Sequence, residues 1–286
     1  MALYRRRSGR APQRPVLVVH LEGWVDAGLG AGAAVSHLLE EHPGEPVADF
    51  DGDELIDYRA RRPVLRLVDG VNEGLTWREP HLVLTADREA NDVLVFVGPE
   101  PDMRWRAFVG EVTELAQALD VRLMVGLGAF PAPVPHTRPV RVAATATDAA
   151  TAARIGFVAG TIEVPSGVHA ALELALADAG IPAVGLWARV PHYISGYPYP
   201  AASAALLSSL ASLAELSLDI SALDTAGDSA NRRIDELVSK SEEHQDMVRK
   251  LEASVDGSEG NPLELSEIPS GDEIATELMR YLRDQG

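Results

Sequence analysis

Short apolar runs alternate with stretches of helical periodicity along residues 1–218. That alternation predicts strands joined by crossover helices, the signature of an α/β sheet. Val16-Leu17-Val18-Val19-His20-Leu21 is almost continuously apolar, as expected of a strand buried on both faces. Residues 26–39 read as a helix with small residues on one side, stopped at Pro43-Gly44, and residues 47–50 as a second strand. Residues 64–68 and 81–85, with Asp69-Gly70 and Asn72-Glu73-Gly74 between them, predict an antiparallel excursion. Residues 92–97 form a strong central strand pattern that ends at Gly98-Pro99-Glu100-Pro101. A helix follows over 104–119, with Phe108, Val112, Leu115 and Leu119 on one face. Further strands are predicted over 121–127, 140–144 and 182–190. A short helix with Thr147 as its N-cap closes at Gly156, and another over 166–179 ends at Gly180. The alanine- and leucine-rich helix over 200–216 is apolar nearly all round, which predicts deep burial or a subunit contact.

The texture changes after Leu218. Residues 219–286 carry 17 acidic against 7 basic side chains and read as an acidic helical tail. Ile234, Leu237, Ser241, His244, Val248, Leu251 and Val255 fall at heptad spacing, but the apolar content fails at Ser241 and His244. This predicts a helix packed on something and at best a weak coiled coil. Ser270-Gly271-Asp272-Glu273 reads as a capping box opening a last helix with Ile274, Leu278, Tyr281 and Leu282 on one side. At the other end, residues 1–14 read as a mobile basic arm able to touch an acidic partner, and residues 15–218 as the α/β body.

Composition narrows the function classes. The chain has 286 residues, a net charge of −18 and no cysteine. A field of that sign repels phosphate, so nucleic acid is an unexpected partner. The missing cysteine excludes disulfides, cysteine-ligated zinc, iron–sulfur clusters and a thiol nucleophile, and it fits a reducing, cytoplasmic setting. No apolar run approaches the 18 or so residues of a membrane span, and the run at 16–21 is too short for a signal-peptide core. The eight histidines lack metal-ligand spacing. No metal or cofactor is expected.

The candidate ligand crevice lies where strands end. Gly23, Asp26 and Gly28 belong to a glycine-rich turn between the first strand and the first helix, where backbone amides and the helix dipole can hold an anion. Its glycines at 28, 30 and 32 depart from G-x-G-x-x-G, no lysine follows, and the acidic Glu22 and Asp26 sit where a pyrophosphate would lie. Close packing of the helix on the sheet explains the same glycines. Three more polar loops follow strands and supply Glu100, then His136 and Arg138, then His192 and Tyr193. Acid–base or anion-binding work and plain surface connection are both open to them. No G-x-S-x-G elbow exists, Ser166 reads as a helix N-cap, and no catalytic residue is assigned.

Four strings occur in order: Gly23-Trp24-Val25-Asp26-Ala27-Gly28, Gly98-Pro99-Glu100-Pro101, Pro165-Ser166-Gly167, and Gly185-Leu186-Trp187-Ala188-Arg189-Val190-Pro191-His192-Tyr193. Together they resemble the PAC2 family of proteasome assembly chaperone 2-like proteins, in particular its actinobacterial branch, over roughly residues 14–218. The resemblance implies an α/β fold similar to nucleoside phosphorylases, with a mixed, mostly parallel sheet flanked by helices and here a C-terminal helical extension. It implies a homo-oligomer, with a trimer plausible, and a non-enzymatic, chaperone-like role with proteasome subunits as possible partners. The alternative that such a fold implies is a binder or enzyme of nucleoside- or phosphate-type small molecules. Relatives dock through a terminal hydrophobic–tyrosine–any-residue tail. Here the nearest string, Arg280-Tyr281-Leu282, is internal and lacks the preceding hydrophobic residue.

Overall fold

The computed structural model describes residues 2–257 and 263–264. In chain order the elements are β1 (Tyr4–Arg6), β2 (Val16–Glu22), α1 (Gly30–Glu41), β3 (Glu45–Phe50), α2 (Gly52–Leu55), β4 (Val64–Val68), β5 (Val71–Thr76), β6 (His81–Ala86), β7 (Asp92–Pro99), α3 (Trp105–Ala118), β8 (Leu123–Ala132), β9 (Val142–Ala146), α4 (Ala149–Ile155), β10 (Val158–Ala159), α5 (Val168–Asp178), β11 (Ala183–Pro191), α6 (Pro200–Ala214), α7 (Ser221–Val238), α8 (Glu242–Gly257) and β12 (Leu263–Glu264). Eight strands form one sheet in the order β1-β3-β6-β7-β2-β8-β11-β9. The mixed sheet flanked by helices is as the sequence predicts. Its parallel share is smaller: β7, β2, β8 and β11 run parallel at the centre, and the flanking pairings are antiparallel.

The unbroken apolar run of β2 follows from its place in the middle. Leu17, Val19 and Leu21 enter one core with α3 and α5, while Val16 and Val18 enter a second core with α1 and α6. Alternate side chains point to opposite faces, so a strand covered on both sides is apolar at every position. The first core has an aromatic centre: the Phe50 ring lies tilted against Phe96 at 5.0 Å and against Phe108 at 5.2 Å. The second is built from alanine, valine and leucine, and it explains the all-round apolar character of α6. That helix is sandwiched between the sheet with α1 on one side and α7 on the other.

The amino-terminal arm departs from its reading as mobile. β1 pairs antiparallel with β3, and Leu3 is fully buried in the aromatic core. The Leu3 amide donates to Glu111 at 2.6 Å and its carbonyl accepts from Asp51 at 2.8 Å. Arg10 grips Asp92, and Arg5 and Arg7 pair with Asp49. The arginines thus neutralise acids of the same chain, and one leucine supplies the apolar anchor.

Residues 64–68 do not pair with 81–85. They form the separate hairpin β4–β5, and β6 joins the main sheet. The heptad stretch is two helices, not one. Ser241 caps α8, accepting from the His244 amide at 3.4 Å, and Glu242 and Glu243 sit in its first turn, so Ser239-Lys240-Ser241 is a stop followed by a start. Within this segment α7 lies against α6. Asp148, not Thr147, caps α4. The capping box at 270–273, its helix and Tyr281 lie outside the described residues.

Leu3→Ala is expected to cost about 2–5 kcal/mol of unfolding free energy, the usual range for a leucine truncated in a packed core. Urea denaturation checks this; a mobile arm would leave the midpoint unchanged.

Candidate functional site

In the chain order of the strands, β2 is followed by a crossover toward β3 on one side of the sheet, and β8 leads toward β9 on the other. Neighbouring strands whose connections leave in opposite directions open a crevice at their carboxyl ends. The ladder shows where it opens. β2 and β8 are in register from Val16↔Leu123 to Val19↔Gly126 and then part. Continuing a parallel ladder would set the Leu21 amide against the Leu127 carbonyl. Instead the Leu21 amide donates to Nε2 of His169 at 3.1 Å, and Nδ1 of His20 donates to the Leu127 carbonyl at 3.5 Å. Two buried histidines, one from the strand and one from α5, satisfy the two backbone groups that the split leaves behind. Because Nε2 of His169 accepts, its proton sits on Nδ1. Burial, reinforced by His20, pushes the His169 imidazole down to about 3, so it is neutral.

A cleft of about 1150 Å³ opens over this split, lined among others by His20, Trp24, Asp26, His169 and Trp187. Trp187 is held in place by a relay. Its Nε1–H donates to the Thr145 hydroxyl at 3.2 Å, which donates to the Glu173 carboxyl at 3.0 Å. Glu173 reaches the sheet because position 185 is glycine: a Cβ there would stand 2.5 Å from its Oε1. Trp187 lies across Gly128, where a Cβ would stand 2.4 Å from the ring. Burial pushes the Glu173 carboxyl up to about 7, against the lowering effect of the Thr145 bond.

The predicted anion slot is filled from within. The Asp26 carboxylate accepts from the amides of Ala31 at 2.8 Å and Gly32 at 2.9 Å, the first turn of α1. It folds back this way because Gly28 adopts a left-handed φ of 64° in the preceding turn. Gly28 itself sits under Tyr199, where a Cβ would be 2.8 Å from the tyrosine Cβ, so close packing accounts for it. Glu100 does for α5 what Asp26 does for α1. It is buried, and its Oε2 accepts from the Val168 amide at 3.1 Å. Burial raises its carboxyl above the ordinary range, and the Val168 bond and Arg61 partly offset this. The N-cap reading of Ser166 gives way accordingly: its hydroxyl donates to the Gly167 carbonyl, and Gly167 holds the cap position. Gly23 lies beneath the Arg61 guanidinium and beside Glu100. A phosphate at either helix start would meet a carboxylate already seated there.

The eight candidate residues therefore divide. Gly23 and Asp26 line the cleft, with Glu100 buried behind Gly23 and Gly28 under α6. His136, Arg138 and Tyr193 belong elsewhere, in a latch that holds the tail. Tyr193 accepts from the His136 amide at 2.9 Å and donates to His136 Nδ1 at 2.7 Å, leaving Nε2–H to donate to Asp235 of α7 at 3.0 Å. Burial pushes the Tyr193 phenol up to about 12. Arg138 binds Asp256 of α8 through two nitrogens, at 2.8 and 2.7 Å, and Glu252 at 3.2 Å. That bidentate bond holds the Asp256 carboxyl below its ordinary range. His192 is exposed, its ring edge-on to Tyr193 at 5.4 Å. The loops fail to converge because His136, Arg138 and Tyr193 are engaged with the tail helices and His192 is exposed beside Tyr193. Sequence reasoning missed His20, His169, Thr145, Glu173 and Trp187 as a group. A signal was present in Gly126, Gly128 and Gly185, since glycine inside a strand marks a close approach.

Among the described residues, no three or more histidine or acidic side chains are placed to hold a metal ion, and no helix is long and apolar enough to cross a membrane. Fold and cleft define an open-sheet α/β protein with a crevice at its switch point, where the chain's own carboxylates cap both neighbouring helices. The PAC2 family model matches residues 20–238, and the chain belongs to the PAC2 family. The matched residues include α7. No curated protein matches. A Corynebacterium glutamicum protein of unknown function is similar at 34% identity, over 90% of this chain and 98% of that one, with a TM-score of 0.83. A Mycobacterium tuberculosis protein of unknown function is also 34% identical, over 90% and 89%, with a TM-score of 0.82. A Mycobacterium tuberculosis proteasome-assembly chaperone homologue is 37% identical, over 82% and 99%, with a TM-score of 0.76.

Two outcomes test the site. The Glu173 carboxyl is raised in the folded state from 4.5 to about 7, so the protonated form favours folding. The stability it contributes is complete below about 4.5 and is lost as pH rises through about 7. Glu173→Gln is neutral throughout and still accepts from Thr145. It is expected to flatten the fall in melting temperature across that window and to match or exceed the parent above it. Arg138→Met is expected to speed hydrogen exchange selectively in α8 and leave the sheet protected, read by peptide-level mass spectrometry.

Proposed function

We propose that this protein is a non-enzymatic, self-associating chaperone of the proteasome-assembly type. The observation that carries the reading is the β4–β5 hairpin. Every residue of both strands is exposed, with Val64 61%, Leu67 58% and Val71 64% accessible. A lone two-stranded hairpin is marginal in water, and a contiguous exposed apolar surface marks an interaction site. The similarity to a proteasome-assembly chaperone homologue supplies the kind of partner. The cleft supports the same reading: the amides an anionic substrate would use are already bonded to Asp26 and Glu100.

The test mixes separately purified α and β subunits of the 20S proteasome from the same cell with the full chain in substoichiometric amount. Peptidase-competent particles are expected to form faster, and the chain to co-migrate with an assembly intermediate. An unchanged rate with no co-migration overturns the reading.

A further inference from the structure

Three of the chain's four tryptophans, Trp24, Trp77 and Trp187, line the cleft over the strand split. Trp24 is 44% and Trp77 48% exposed, so two large rings stand half open there. The face of an indole attracts a cation. The carboxylates of the same cleft act in the same sense. Glu22 is paired with Arg78, and Asp49 with Arg5 and Arg7. Asp26, Glu40 and Glu79 also line the cleft and have no arginine or lysine partner among the described residues. The floor adds an open acceptor. His20 is only 8% exposed. Its Nδ1–H donates to the Leu127 carbonyl, which leaves Nε2 with a lone pair and no hydrogen bond, 3.9 Å from Oδ2 of Asp26. Gly32 lies against both atoms. A Cβ there would stand 3.3 Å from Asp26 Oδ2 and 3.4 Å from His20 Nε2, so its missing side chain leaves a notch between two acceptors.

We infer that this cleft binds a linear aliphatic polyamine, one ammonium donating into the notch between His20 and Asp26 and the methylene chain lying along the tryptophans. The site goes beyond the chaperone reading and does not rest on it. The chemistry of the cleft selects the ligand by elimination. An anion finds the helix-start amides already bonded to Asp26 and Glu100. A metal ion finds no three histidine or acidic side chains placed to hold it among the described residues, and a hydrated ion gains little from indole walls. A quaternary ammonium lacks the N–H that two neighbouring acceptors require. A polyamine has N–H donors spaced along an apolar chain, which matches acceptors set among aromatic walls. The chain's net charge of −18 raises the local concentration of such a polycation before it docks.

The experiment titrates the full chain with spermidine chloride by calorimetry and by intrinsic tryptophan fluorescence, in buffer of physiological salt. Two variants that leave the net charge unchanged are measured beside it. Gly32→Ala fills the notch with a methyl group, and alanine is the better helix former, so α1 is expected to fold as before. Trp24→Leu removes one exposed ring and keeps an apolar side chain. Circular dichroism and melting temperature confirm the fold of each. The parent is expected to bind one spermidine per chain, saturably and with a change in fluorescence. Gly32→Ala is expected to lose the saturable phase, and Trp24→Leu to weaken it by roughly tenfold, the size of a cation–π contact in a partly desolvated site. Magnesium chloride at matched ionic strength is expected to produce no fluorescence change. A parent that binds no spermidine overturns the inference. So do variants that bind as tightly as the parent, because the polycation is then held by acidic surface alone. If Gly32→Ala does not fold, Trp24→Leu decides: undiminished affinity overturns the site, and a roughly tenfold loss supports it.

Discussion

The structure is organised around two backbone groups that lose their ladder partners where β2 and β8 diverge, the Leu21 amide and the Leu127 carbonyl. A buried amide or carbonyl without a partner costs as much as a lost hydrogen bond or more, so the divergence is tolerable only if side chains replace the ladder. His169 and His20 do this from opposite directions. Their placement brings α5 against the ends of the central strands and fixes the floor of the cleft. It also dictates the protonation of His169, because a ring that accepts from an amide and is buried stays neutral.

The same economy appears at the two helices that flank the split. Asp26 and Glu100 lie far apart in sequence, yet each satisfies a helix start with a carboxylate from the end of a neighbouring strand or its turn. Carboxylates at helix N-termini are favoured by the exposed amides and the dipole. A turn that would cradle phosphate in an α/β enzyme is here a closed internal joint. Trp187, set by Thr145 and Glu173, forms another part of the wall of the same cleft. The outward-facing parts of the molecule are different in kind: an apolar hairpin at one place, and at another two acidic helices, α7 packed on α6 and bonded to His136, and α8 bonded to Arg138.

Much of the fold was legible because buried parallel strands must be apolar at every position. Residues 16–21 and 92–97 announce the centre of the sheet, and the all-round apolar character of 200–216 announces a helix covered on both sides. The hairpin was misread, since two short strands flanked by turns do not say which strand pairs with which. The heptad spacing over 234–255 misled for a related reason: a periodic pattern crosses a helix break when the break itself is polar and short. The amino-terminal arm looked mobile because three adjacent arginines outweigh one leucine in composition, whereas in space a single buried leucine and an edge pairing decide.

The sequence by itself determined the layered α/β body, its central strands, the family strings and the lack of an intact catalytic motif. These are local properties, written in periodicity and in residue type at short spacing. Only the tertiary structure decided what the polar residues do. Asp26 and Glu100 became helix caps, His136 and Arg138 became anchors for the tail, and His20, His169 and Glu173 became the supports of the cleft. A carboxylate or an imidazole has the same letter whether it meets a ligand or a backbone amide of its own chain. The difference lies in which distant segment the sheet brings within hydrogen-bond reach, and spacing along one sequence does not contain that distance.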